Sequence, residues 1–377
     1  MKRFLSLDIL RGFTVACMIM VNNPGSWGHM YPPLKHYIWD GCSPTDLVFP
    51  TFLFIVGASV WFAMRKTGHE LTGGVAFKII KRGILIFLVG EALKMYPFYN
   101  MEEFRIRGVG VLQRIGIAYM LGSFIALWLK SYRRIAVCVA AILIGYCIIV
   151  FSLGDATIEN YIGRKIDLAV FGVERLPMRL GYHFAAEGIL STIPAVATVL
   201  IGYMAGRFMG ENMKPENRSA VPIVKLAAAG GLLVTAGLIW NGTFPLNKPI
   251  WSSSYVLYAA GIAMQMWAIM SYVTDYLGKT SWAGFFRVFG TNALFAFALS
   301  SVIVRTLRLP LFLIRSDGKE LALSGYFYRE MSQVVSPEMA SLLWSLVMVG
   351  VCWAVTYPLY RKKIFIKLKN IFLCTSV

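Results

Sequence analysis

Apolar residues in this chain gather into long runs, and basic residues mark the gaps between them. A helix that crosses a bilayer needs about 20 mostly apolar residues. Ten stretches meet that requirement, at approximately 5–22, 45–64, 76–96, 109–129, 135–153, 187–208, 220–240, 253–276, 288–305 and 338–360. The first follows Met1-Lys2-Arg3, which looks like the basic start of a secretory signal. Its apolar run is longer than a signal core and no small-x-small cleavage motif follows, so it is read as a retained span. No internal repeat or low-complexity linker divides the chain. Residues 1–377 are expected to form one all-α, polytopic membrane domain of about ten helices.

Lysine and arginine near the span ends set the orientation. A cytoplasmic N-terminus puts Arg65-Lys66, Lys130 with Arg133-Arg134, Lys214 with Arg218, and Arg361-Lys362-Lys363 inside, and leaves Lys35 alone in the outward loop 23–44. With an even number of spans, both termini are cytoplasmic, and a bacterial plasma membrane is the expected location. Composition agrees: 57% of residues are apolar and 15% charged, against about 25% charged in soluble domains. The balance of 37 Lys+Arg to 19 Asp+Glu, a net +18, suggests nucleic acid on a soluble protein. Here the positive-inside bias explains it, and no nucleic-acid partner is expected. Cys17, Cys138, Cys147 and Cys352 lie in apolar runs and only Cys42 in an outward loop, so no disulfide framework is expected.

The N-terminal segment carries the most chemistry. Asp8 and Arg11 are three apart on one helix and can pair. At about 100° per residue, Asn22 returns to the azimuth of Arg11, about 16 Å further along the axis. Asp8, Arg11, Val15, Met18 and Asn22 therefore share a stripe, which either lines a cavity or ends in an interfacial ion pair. The loop that follows holds two of the four histidines, His29 and His36, beside Asn22, Asn23, Asp40 and Asp46. An imidazole near neutral pH is the usual general base or nucleophile. Asp46 or Asp40 could orient that imidazole, and Asp46 has a second reading as the third residue of a Ser43-Pro44-x-Asp46 capping box that starts the next span. The chain has no P-loop, C-x-x-C or H-E-x-x-H motif, and neither nucleotide hydrolysis nor a metal is expected.

Several segments, taken in order, resemble one family. They are Ser6-Leu7-Asp8 with Arg11-Gly12, Lys35-His36 with Trp39-Asp40-Gly41, and Asp46-Leu47-Val48-Phe49-Pro50. Further along come Val111-Leu112-Gln113-Arg114, Glu187-Gly188-Ile189-Leu190, Pro245-Leu246-Asn247-Lys248 with Trp251-Ser252, and Gly290-Thr291-Asn292. This set is similar to the heparan-α-glucosaminide N-acetyltransferases and their bacterial relatives. The resemblance implies a membrane-embedded enzyme that takes acetyl from cytosolic acetyl-CoA and delivers it across the membrane to the amine of a glucosamine unit. The family histidine corresponds to His36 and the family asparagine to Asn22, with Asp46 completing the expected catalytic set. Arg11, Arg82, Gln113, Arg114 and Asn292 are the donor-binding candidates. Asp40, Glu187, Asn247, Lys248 and Trp251 are the acceptor-binding candidates. The lumenal domain that precedes the first span in lysosomal members has no counterpart here, which turns the expectation toward a small amino sugar or an envelope glycan. The bilayer, the amino-sugar or glycan acceptor and, as an option, a second copy of the chain are the expected partners.

Amine acetylation needs an unprotonated amine, a stabilised oxyanion and a donor held in attack geometry. His36 is expected to take the amine proton or to accept the acetyl group itself. Asn22 offers an amide to the oxyanion, and Arg11 with Arg82 offers charge to the donor phosphates, with the donor's arm running along Val15 and Met18. Two other classes fit: an O-acyltransferase of envelope glycans, and a sugar transporter, although transporters are often built from repeats and none is found here.

Overall fold

The protein is described here from a computed structural model covering residues 4–98, 108–213, 219–316 and 319–366. Lys214 and Arg218, used above for orientation, lie outside the described residues. In chain order the helices are α1 (Leu5–Asn22), α2 (Val48–Met64), α3 (Gly73–Met95), α4 (Val111–Leu129), α5 (Tyr132–Leu153), α6 (Ile162–Phe171) and α7 (Ile189–Asn212). They continue with α8 (Val221–Trp240), α9 (Ser253–Ser271), α10 (Gly284–Thr291), α11 (Ala293–Thr306), α12 (Leu323–Met331) and α13 (Pro337–Arg361). Among the described residues the only strands form two short antiparallel hairpins, β1 (Met178–Arg179) with β2 (Tyr182–His183), and β3 (Ile314–Ser316) with β4 (Lys319–Leu321).

Each of the ten apolar runs becomes helical. Among the described residues eight helices are long and apolar enough to cross a membrane, and α10 with α11 makes a ninth if the two count as one broken span. The third run forms α3, whose Lys78, Lys81, Arg82, Glu91 and Lys94 make it too charged to join that count. The 288–305 run is not one straight helix: α10 and α11 meet at 74°. The break falls at Asn292, with φ −128° and ψ 44°, whose side chain is bonded to the backbone of Ile364 and Ile366 near the C-terminus. The two segments that carry no long apolar run, 154–186 and 306–336, hold the short helices α6 and α12 and both hairpins.

Without a hydrophobic force between helices in lipid, small residues set how closely they approach. A Cβ on Gly57 of α2 would overlap the Val199 carbonyl of α7, and one on Gly202 of α7 would overlap the Phe54 carbonyl of α2. Gly12 of α1 and Gly290 of α10 meet backbone in the same way. Val15 of α1 is fully buried with Phe289, Ala296 and Trp344, and Met18 is 5% exposed. The middle of the α1 stripe is therefore packed against its neighbours, because α10, α11 and α13 close over it.

Candidate functional site

The loop after α1 returns over the end of the bundle and is tied to the loop between α8 and α9. The Gly41 amide donates to the Leu246 carbonyl (2.7 Å), and the Asn247 side-chain amide donates to Asp40 Oδ1 (3.1 Å). Asn247 Oδ1 also accepts from the Ile250 amide (3.1 Å), so one buried residue organises both loops. Gly41 has φ +123°, and a Cβ there would run into the Tyr37 ring. Only glycine fits that position. From the other side Arg179, on the β1–β2 hairpin, donates to the carbonyls of Ile38 (2.8 Å) and Tyr37 (3.4 Å).

This folding brings three groups together. His36 Nδ1 lies 2.6 Å from Asp46 Oδ1. Lys248 Nζ lies 3.2 Å from the same oxygen and 3.0 Å from the imidazole nitrogen. The two oxygens of Asp46 divide their work. Oδ2 accepts from the Ser43 amide (3.1 Å), the Ser43 hydroxyl (3.0 Å) and the Tyr37 amide (3.1 Å), while Oδ1 faces His36 and Lys248. Both readings of Asp46 are realised at once: Ser43 and Asp46 form a capping box on the short 3₁₀ turn Pro44–Leu47, and the other oxygen orients the imidazole. Tyr255 of α9 fixes the same residue from below by donating to the Asp46 carbonyl (2.6 Å).

Five donors around one carboxylate favour its ionised form. A carboxylate oxygen can only accept, so the 2.6 Å contact puts a proton on Nδ1, and a neutral ring held this way carries its lone pair on Nε2. Among the described residues nothing hydrogen-bonds to Nε2. The His36 side chain is 35% exposed and that of Asp46 only 1%, so the buried anion holds a ring that solvent and an acceptor can reach. Burial pushes the Lys248 ammonium below the usual lysine range, opposed by the charges of Asp46 and Glu187. Cys42 is close by, but burial and the Asp46 carboxylate push its thiol up to about 12. A thiol held so firmly protonated is a poor nucleophile.

Trp251 lies beneath this cluster, fully buried and edge-on to Phe49 (5.1 Å) and Tyr255 (5.3 Å), so it supports the site from below the surface. The Arg114 guanidinium stacks over the Trp251 ring at 4.9 Å. It donates to the carbonyls of Ala186 (3.0 Å) and Gly188 (3.5 Å) and to the Ser191 hydroxyl, which ties α4 to the start of α7. Glu187, half-buried in that turn, acts on the charges of Arg114, Arg179 and Lys248. Asp167 of α6 accepts from the Ile189 amide (2.9 Å), and burial raises its carboxyl from 3.8 to about 6.

The remaining candidates lie elsewhere. Asn22 is exposed and lines a small recess with Trp27, Arg308, Ser324 and Trp344, which shares no residue with the His36 cluster. Arg11 pairs with Asp8 (2.9 Å) and also donates to Ser59 Oγ on α2 (2.6 Å) and the Gly290 carbonyl on α10 (3.3 Å). Asn292 is buried and holds the C-terminal strap, donating to the Ile364 carbonyl (3.0 Å) and accepting from the Ile366 amide (2.8 Å). Gln113 is buried against α3 and donates to Glu91 (2.6 Å). The exposed Arg82 stacks on the Tyr119 ring at 5.0 Å. Arg179, Ser43 and Tyr255 were not singled out as binding or catalytic residues. Arg179 and Tyr255 carry no local motif, and their roles come from loop and helix packing.

Fold and site together define a multi-pass helical membrane protein with a carboxylate-held imidazole built into one end of its bundle. Residues 3–242 match the family model described as the catalytic part of heparan-alpha-glucosaminide N-acetyltransferase. The chain belongs to that family. It is 23% identical over 432 aligned positions to heparan-alpha-glucosaminide N-acetyltransferase of Mus musculus, covering 97% of this chain and 61% of the relative. Against the Homo sapiens protein of the same name it is 24% identical, with coverage of 97% and 60%. The chain thus spans about three-fifths of the length of the curated relatives it matches.

Proposed function

We propose that the protein is an acetyltransferase that moves acetyl from cytosolic acetyl-CoA to the amine of a glucosamine-type sugar on the other side of the membrane. The observation that carries this reading is the His36 ring, fixed at Nδ1 by buried Asp46 and open at Nε2. Helix α1 separates residue 5 from the His36 loop by one membrane crossing. With both termini cytoplasmic, His36 faces the outer compartment of a bacterial plasma membrane.

In the direct route the free amine attacks the thioester carbonyl and a C–N bond forms. His36 Nε2 takes the amine proton, and the imidazolium is held by Asp46. Collapse of the tetrahedral intermediate breaks the C–S bond, and the thiolate leaves and is protonated, giving the amide and free coenzyme A thiol. In the two-step route Nε2 attacks first, the thiol leaves, and the acetyl-imidazole then passes its acyl group to the amine. Lys248 steadies the Asp46 charge in both. Asp40, Asn247 and Glu187 frame the acceptor mouth. Among the donor-binding candidates, Arg11, Gln113, Arg114 and Asn292 all hold other parts of the protein in place. Arg82 is the residue assigned to the donor phosphates, where a guanidinium suits a polyanion.

The test is acetyl transfer from labelled acetyl-CoA to glucosamine by purified protein, compared with His36→Ala. The expected product is labelled N-acetylglucosamine, with a loss of about 10³-fold in the variant and an unchanged melting midpoint. Ester formation on a glycan, or accumulation of unmodified sugar in proteoliposomes, overturns the reading.

A further inference from the structure

A cleft of about 600 Å³ opens sideways from the bundle between α5, α7, α8 and α9, well away from the His36 cluster. Helices α5 and α8 form its walls, and each packs on α7. Small side chains such as Ala136 and Ala140 on α5, Ala205 on α7 and Ala229 on α8 give it depth. From Lys225 to Trp240 the α8 wall rises about 22 Å at 1.5 Å per residue. Half of a bilayer's hydrocarbon core is about 15 Å, so the cleft is longer than one leaflet and accepts an extended acyl chain.

The cleft is apolar along its length and charged at one end. Lys225 is its only charged lining residue and the only charged residue on α8. It is exposed, and among the described residues it has no ion-pair or hydrogen-bond partner. Across the mouth, Tyr132 donates to Glu211 (3.2 Å) and lies under the Arg207 guanidinium (4.2 Å). Arg207 and Glu211 pair with each other (2.8 Å) and offset one another. Among the described residues the uncompensated charge at the mouth is therefore positive.

We propose that this cleft is a binding site for an anionic phospholipid, with one acyl chain laid between α5 and α8 and the phosphate on Lys225. An apolar slot longer than one leaflet that ends at the exposed Lys225 ammonium complements that molecule at both ends. The inference is independent of the acyl-transfer reading. The test is native mass spectrometry and thermal denaturation of the full chain in detergent, with phosphatidylglycerol or phosphatidylcholine added. The wild type is expected to keep phosphatidylglycerol and to be stabilised by it more than by phosphatidylcholine. Lys225→Ala is expected to bind phosphatidylglycerol about fivefold more weakly, and Lys225→Arg to restore it. Ala229→Trp, which fills the slot, is expected to lose both lipids. Equal retention of the two lipids by the wild type, or unchanged phosphatidylglycerol binding by Lys225→Ala, overturns the proposal. So does a dimer that Ala229→Trp dissociates, which would make a second copy of the chain the occupant.

Discussion

The two ends of α1 hold polar groups of similar kinds and use them differently. At one end Arg11 is bonded to Asp8, Ser59 and the Gly290 carbonyl, and nearby Asn292 spends both ends of its amide on the C-terminal strap. At the other end Asp46 is equally saturated, but its bonds leave one atom of a neighbouring residue, His36 Nε2, unengaged and accessible. Both regions are built from buried, satisfied polar groups, as a low-dielectric interior requires. Only the second ends in an open valence. Polar residues in an apolar chain therefore do not by themselves mark chemistry, and the useful sign is a fixed side chain with a free atom.

The sharpest break in this comparison comes from separating the two oxygens of Asp46. Asp46→Asn keeps the shape but loses the anion that selects the His36 tautomer, and it is expected to lower kcat by 10² or more. Ser43→Ala removes the hydroxyl, one of three donors to Oδ2, and leaves Oδ1 in place. It should cost about 1 kcal/mol of stability and change kcat by less than a factor of about three. Equal losses of kcat in the two variants would show that the carboxylate acts through the loop fold alone.

The scaffold behind the His36 cluster makes a second prediction through Asp167. Burial raises its carboxyl from 3.8 to about 6, so the folded protein holds this proton more tightly than the unfolded chain does. Stability from this group is present below pH 4, falls as pH rises through the window from 4 to 6, and levels off above it. Asp167→Asn removes that fall, and Asn keeps an oxygen for the Ile189 amide. The unfolding free energy of the variant is expected to overtake that of the wild type across this window, by an upper bound of ~3 kcal/mol at neutral pH. A constant difference from pH 4 to pH 7 would mean that Asp167 titrates normally.

The ten apolar runs are legible because each averages a signal over about 20 residues, and a few polar positions do not erase it. α1 matches its run from residue 5 to residue 22. The bend at Asn292 is not legible, because one residue changes the path without changing the hydropathy around it. Within the site, Ser43-Pro44-x-Asp46 can be read as local chemistry, since capping depends on residues three apart. The approach of Lys248 to His36 cannot, because the two are 212 positions apart and meet through loop docking at Gly41 and Asn247.

The donor-binding candidates supply the milder tests. Arg82→Ala is expected to raise the KM for acetyl-CoA about tenfold, as loss of one charge-assisted phosphate contact does, with kcat little changed. An unchanged KM removes Arg82 from the donor site.

Asn292→Ala probes the opposite claim, that a residue which looks like a binding group is only a fastener. Its amide holds Ile364 and Ile366 by two hydrogen bonds (3.0 and 2.8 Å) at the corner between α10 and α11. A typical intramolecular hydrogen bond contributes about 1 kcal/mol net, and the freed strap regains water and conformational entropy. The variant is expected to lose about 1 kcal/mol of stability and to exchange the amide proton of Ile366 faster, with the KM for acetyl-CoA unchanged. A rise in KM without loss of stability would place Asn292 at the donor, and the two ends of α1 would then differ less than their geometry indicates.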